Sequence, residues 1–148
     1  MLPFLFIGSG VHSSEIRSLS KEYDDVVYEG LVDANIANKL TAKYEWALLP
    51  IEDEVTKYAF PSKTSSYILC GTNILSICAS WTSVAKWVVS HNYGINVSPD
   101  VDNIVKEFFK IESGVTINSG KVDADYFSIE RFVKSIYGVI YDKADSTI

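Results

Sequence analysis

Short, unbroken apolar runs alternate with amphipathic helical stretches along nearly the whole chain, and this constrains the fold more than any other feature. Phe4-Leu5-Phe6-Ile7 is such a run and stops at Gly8-Ser9-Gly10. Ser13 or Ser14 then caps a predicted helix through about Tyr23, with Ile16 and Leu19 on one face. Val26-Val27-Tyr28-Glu29 reads as a second strand closed by Gly30. Asp33 caps a second helix whose Ile36, Ala37, Leu40 and Tyr44 keep the 3–4 spacing. Trp46-Ala47-Leu48-Leu49 is a third strand ending at Pro50. A short helix from Thr64 to Cys70, with Gly71 as its terminating glycine, leads to a fourth strand from Asn73 to Cys78. A helix from about Thr82 to His91 buries Val84, Ala85, Val88 and Trp87, and Gly94-Ile95-Asn96-Val97 is a fifth strand. Asp100 caps a helix through Lys110, with Val101, Ile104, Val105 and Phe108 inward. Residues 114–120 form a polar turn, and Phe127 to Tyr141 is a last amphipathic helix.

Strand and helix alternating at this spacing predict an α/β fold, a Rossmann-like parallel sheet with helices on both faces. Continuous apolar runs, rather than alternating ones, suit strands covered on both sides. Ligands of such sheets sit beyond the carboxyl ends of the strands. The loops to watch are therefore Gly8-Ser9-Gly10, Gly30-Leu31-Val32, Pro50-Ile51 and Phe60 to Thr64.

The 148 residues fit one domain, long enough to bury a core without a disulfide or metal staple. A net charge of −6 argues against nucleic acid as the main partner, because phosphate binding needs an excess of Lys and Arg. No window reaches the roughly 18 apolar residues of a transmembrane helix. The opening apolar run lacks the basic start of a secretory signal. Cys70 and Cys78, with only His12 and His91 beside them in composition, form no metal-ligand spacing, so no metal is expected and both cysteines read as buried thiols.

Gly8-Ser9-Gly10 follows a strand and opens a helix, where glycines let the backbone approach a ligand and helix amides attract phosphate. Without a third glycine, the same residues also fit a plain strand-to-helix turn. Pro61-Ser62-Lys63-Thr64 is sharper: Pro61 fixes φ, Ser62 is placed to cap, and Lys63 falls in a first turn where the helix dipole disfavours a cation. An anion between Lys63 and the helix would resolve that conflict; an exposed lysine at a small cost is the alternative. His12 reads as an exposed loop residue with no evident carboxylate partner. His91 sits as a partner of its helix C-terminus. Glu52-Asp53-Glu54 reads as a solvated acidic loop, and Trp81 and Trp87 as core or interface packing.

The order of Phe6-Ile7-Gly8-Ser9-Gly10, Val27-Tyr28-Glu29-Gly30, Ala47-Leu48-Leu49-Pro50 and Pro61-Ser62-Lys63-Thr64-Ser65-Ser66-Tyr67-Ile68-Leu69-Cys70-Gly71-Thr72-Asn73-Ile74-Leu75-Ser76 resembles the C-terminal half of a GT-B-fold glycosyltransferase. The similarity is to the retaining group called glycosyltransferase family 4, in its bacterial capsule and lipopolysaccharide branch. Gly94-Ile95-Asn96-Val97 and the helix from Phe127 through Tyr137 resemble its later elements. The resemblance implies a nucleotide-sugar-binding domain of an enzyme that transfers sugar to a polysaccharide or glycolipid acceptor. It implies that Gly30, Leu31 and Val32 meet the base, that Gly8, Ser9 and Gly10 border the nucleotide cleft, and that Pro61, Ser62, Lys63 and Thr64 cradle the diphosphate. No cofactor is implied; the donor would be a UDP- or GDP-sugar. The location implied is cytoplasmic, with any inner-membrane contact made through the other half of the enzyme.

The chain departs from that family twice. Ser66 stands where the family often has a ribose-binding Glu. The family's domain also begins with one further strand and helix and an Arg/Lys pair, and it follows an acceptor-binding domain; none of these precedes Phe4 in the sequence. The expectation is a fragment of a longer enzyme or one subunit of a split one, with a missing central strand that forces self-association, a strand from another chain, or a rearranged sheet. The competing reading is a non-catalytic α/β binding or oligomerisation module derived from such a domain. A response-regulator-like domain is set aside because the first strand ends without an acidic pocket.

Overall fold

The computed structural model describes residues 2–115, 117 and 124–145. Five strands and six helices alternate: β1 (Phe4–Ile7), α1 (Ser13–Glu22), β2 (Val26–Gly30), α2 (Ala34–Thr41), β3 (Trp46–Pro50), α3 (Lys63–Leu69), β4 (Asn73–Ile77), α4 (Ser83–Ser90), β5 (Gly94–Val97), α5 (Val101–Glu112) and α6 (Ile129–Asp145). Short 3-10 turns at Val55–Lys57 and Ala124–Phe127 interrupt two connections. The fold is α/β with parallel strands flanked by helices. Most of the expected 114–120 turn lies outside the described residues.

The parallel sheet is divided in two, a rearrangement of the kind expected where a central strand is missing. β1 pairs in parallel with β2, and β3-β4-β5 form a separate parallel sheet. β4 is the centre of the larger sheet, and its burial follows from the pleat. Ile74 packs on one face with Leu49, Ile68, Val84 and Val88, while Leu75 packs on the other with Val97 and Ile111. Strands covered on both faces need consecutive apolar residues, which is what Ile74-Leu75 supplies.

The β1–β2 unit is built differently. β2 alternates half-buried with exposed residues, Val27 and Glu29 facing solvent, and neither α1 nor α2 contains a buried residue. The reading of β2 as a doubly covered strand is thereby corrected. The well-packed core belongs to β3–β5 with α3, α4 and α5.

Caps account for the helix starts that composition alone leaves open. Asp33 accepts from the Asn35 amide, Thr82 from Ala85 and Asp100 from Asn103. Two expected caps are corrected. The α1 N-cap position is His12, whose side chain caps no helix amide, and Ser13 Oγ instead accepts from the Gly10 amide at 2.7 Å. Ser62 occupies the α3 N-cap position in helical geometry and also makes no capping bond. In α5 the inward face is Ile104, Phe108 and Ile111, whereas Val101 and Val105 are exposed. Cys78 is buried as expected, but Cys70 is only half-buried.

Candidate functional site

The loops at the carboxyl ends of the strands define the candidate site. β1 and β2 end together: the Gly8 amide donates to Gly30 O at 2.6 Å, and Tyr28 Oη donates to Gly8 O at 3.0 Å. Gly8 (φ +122°) and Gly30 (φ +68°) both hold left-handed backbone, which explains glycine at each position. Ser9 and Gly10 are exposed beside them, Leu31 is 81% exposed, and Val32 is half-buried. The Gly8 and Gly10 amides are therefore engaged within the two loops.

The second half of the site follows β3. Pro61 O accepts from both the Thr64 amide (3.2 Å) and Thr64 Oγ1 (2.6 Å), which tightens the turn into α3. Thr64 is 1% exposed, so its hydroxyl is committed to that turn. Ser62, Lys63 and Ser66 remain on the surface. Phe60 fixes the approach to this loop by an edge-on contact with Trp87, at 5.2 Å and 83°. Trp87 in turn packs on Tyr93 and His91, and Tyr126 and Phe127 extend the group. Such offset and edge-to-face contacts contribute about 0.5–1.5 kcal/mol each beyond burial.

A cavity of about 840 Å³ runs between β1 and β3, and of the expected site residues Lys63 alone lines it, the glycine loops, Ser62, Thr64 and Ser66 standing outside its lining. It is lined by Ile7 at the end of β1, Pro50 at the end of β3, and Lys63. α2 and α3 run side by side: Cys70 Sγ, at the end of α3, donates to Asn38 O in the second half of α2 at 3.5 Å. Each helix carries the chain back from a strand's carboxyl end, so the glycine loops and Lys63 open on the same side.

A third group of residues at this end was not anticipated from sequence. Beyond β4, Asp53 Oδ1 accepts from the Ala79 amide at 2.8 Å, so the acidic run is not uniformly solvated. Glu54 pairs with Lys57 at 2.6 Å instead. Beneath them Asn96 Oδ1 accepts from Ser76 Oγ (2.9 Å) and Cys78 Sγ (3.4 Å), and Asn96 Nδ2 donates to Cys78 O (3.1 Å). Cys78 Sγ also meets Thr82 Oγ1 at 3.3 Å. Burial pushes the Cys78 thiol above its ordinary range, the Thr82 hydrogen bond opposes this, and the nearby Asp53 carboxylate adds to it. A thiol held neutral is a packing group rather than a nucleophile. The cluster ties β4, β5 and α4 together under the site.

Two other expectations change. Trp81, on the loop after β4, is 53% exposed and so is no core residue, which leaves an aromatic face on the surface there. His12 does have a carboxylate partner, Glu15 Oε2, at 2.7 Å on the exposed start of α1. The i,i+3 spacing could have revealed that pair. His91 Nδ1 lies 3.0 Å from Trp87 O at the end of α4, where it was expected. Among the described residues no group of three or more His, Cys, Asp or Glu is placed to hold a metal, and no helix is long and apolar enough to cross a membrane. Comparison with family models, with curated proteins and with solved structures returned no match.

Proposed function

We propose that this chain is a nucleotide-sugar-binding domain of the GT-B glycosyltransferase type, holding the diphosphate of a UDP- or GDP-sugar at the carboxyl ends of β1–β3. The observation that supports it best is the placement of Lys63. It lines the same cavity as Ile7 at the end of β1 and Pro50 at the end of β3, with Ser62 exposed beside it. A lysine in the first turn of a helix runs against the dipole, and a diphosphate between the two removes that penalty. Stabilising the departing nucleoside diphosphate is the main electrostatic task in sugar transfer, and on this reading it falls to Lys63. Gly30, Leu31 and Val32 would face the base and Ser66 the ribose, with exposed Trp81 an added stacking surface for base or sugar.

Titration calorimetry with UDP and GDP tests this reading. Binding of one nucleotide is expected, weakened at least tenfold in Lys63→Ala, the loss of one charge-assisted contact. A second reading, a non-catalytic α/β binding or pairing module, is favoured by the internal use of the Gly8 and Gly10 amides and the Thr64 hydroxyl. Absence of binding to both nucleotides would favour that module.

A further inference from the structure

Between β1 and β3 lies a slot with the shape of an absent strand. β1 has β2 as its one strand neighbour and β3 has β4, so each turns a second edge to the slot among the described residues. In a parallel ladder alternate residues direct both backbone groups to the same neighbour. The Phe4 and Gly8 amides bond toward β2, to Asp25 O and Gly30 O, so the backbones of Leu5 and Ile7 face the slot. On the other bank Glu45 O accepts from Asn73, and the Ile51 amide donates to Ile77 O, so Trp46 and Leu48 face the slot.

Helices close both faces of this space. Phe108 of α5 packs edge-on against Phe4, at 5.4 Å and 89°, and joins Trp46 and Leu48 in one apolar cluster. Ala37 and Thr41 of α2 line the opposite face. The cavity measures about 840 Å³.

We propose that this slot receives one extended apolar segment of four or five residues from a partner polypeptide, hydrogen-bonded to both banks and joining the two sheets. Backbone donors and acceptors on two facing edges select an extended peptide over a lipid or small apolar molecule, neither of which satisfies them. A second copy of the chain is disfavoured as the source, because each of its strands is already paired and is followed by a helix. The thin packing of the β1–β2 unit has the same cause. Two strands with no buried residue are a marginal unit alone, and a central strand would bury their open edge. The slot is the cavity that Lys63 also lines, so the peptide is tested with no nucleotide present.

The test is amide hydrogen exchange with an acetylated, amidated heptapeptide, Lys-Val-Ile-Val-Ile-Val-Lys, as the probe. Saturating peptide is expected to slow exchange at Leu5, Ile7, Trp46 and Leu48 at least tenfold, and a version N-methylated at alternate residues to leave them unchanged. Ala37→Trp, which puts bulk into the slot from α2 and leaves the sequences of both strands unaltered, should abolish the protection with an unchanged circular dichroism spectrum; Thr41→Trp serves if that variant does not fold. No protection, equal protection by the N-methylated peptide, or protection of the four amides on raising protein concentration alone would overturn the proposal.

Discussion

Replacing Gly94 with alanine places a Cβ 1.8 Å from Ile74 O, 2.7 Å from Ile74 C and 2.8 Å from Ile74 N. All three atoms are backbone of the central strand, so no side-chain rotation relieves the contact. Restoring ordinary contact at 3.4 Å requires the strands to part by about 1.6 Å, the difference from 1.8 Å. That displacement is a third of the ~4.8 Å interstrand spacing. It breaks the Ile74 amide's bond to Tyr93 O (2.9 Å) and strains the ladder at Ile74↔Gly94 and Leu75↔Ile95. Two or three buried ladder bonds left unmade, at about 1–3 kcal/mol each, give a loss on the order of 3–6 kcal/mol. This is a large share of the roughly 5–15 kcal/mol that holds a domain folded. Urea denaturation followed by tryptophan fluorescence measures it, with Trp87 packed against Tyr93 as a reporter. Gly10→Ala is the control: nothing lies within 4 Å of its Cβ, and a change below about 0.5 kcal/mol is expected. A Gly94→Ala loss below about 1 kcal/mol would refute the β4–β5 register.

Three further outcomes follow from the same contacts. Thr82→Ala removes the α4 cap and the hydroxyl beside Cys78, and is expected to cost about 1–2 kcal/mol by urea denaturation, with Thr82→Ser recovering most of it. Burial raises both the Cys78 thiol and the Tyr67 phenol in the folded state, so the unfolded chain gives up these protons first. Stability is then complete at neutral pH and falls as pH rises past the ordinary thiol pKa of about 8.5, a slope that should shrink in Cys78→Ala. Half-buried Cys70 should react with a thiol reagent under native conditions well before buried Cys78, as mass spectrometry of timed samples would reveal.

Local features of this chain were legible because local chemistry determines them. The strand at Asn73–Ile77 is an apolar run between Gly71 and a loop, and the helices begin where Asp33, Thr82 and Asp100 offer a cap. The loops Gly8–Gly10 and Pro61–Thr64 were legible as candidate sites for the same reason: Gly8 needs a left-handed backbone, and Pro61 and Thr64 close a tight turn. What pairs across distance was not legible. Nothing local to Phe4–Ile7 or Trp46–Pro50 says that their facing edges stay apart; only the family resemblance, through its missing central strand, raised a rearranged sheet. The Ser76–Asn96–Cys78–Thr82 cluster joins three elements whose residues look unremarkable singly. Ser62 misled because a serine at an N-cap position helps only in extended geometry, and its ψ of −22° turns the hydroxyl away from the helix amides.

The central claim is that a nucleoside diphosphate seats on the carboxyl-end loops, and amide chemical shifts recorded during titration with UDP and with GDP test it residue by residue. The account predicts saturable shifts, with one nucleotide at least, concentrated at Ser9, Gly10, Leu31, Val32, Ser62 and Lys63, with β5 and α5 unmoved. Shifts confined to other surfaces, or none with either nucleotide, would contradict it.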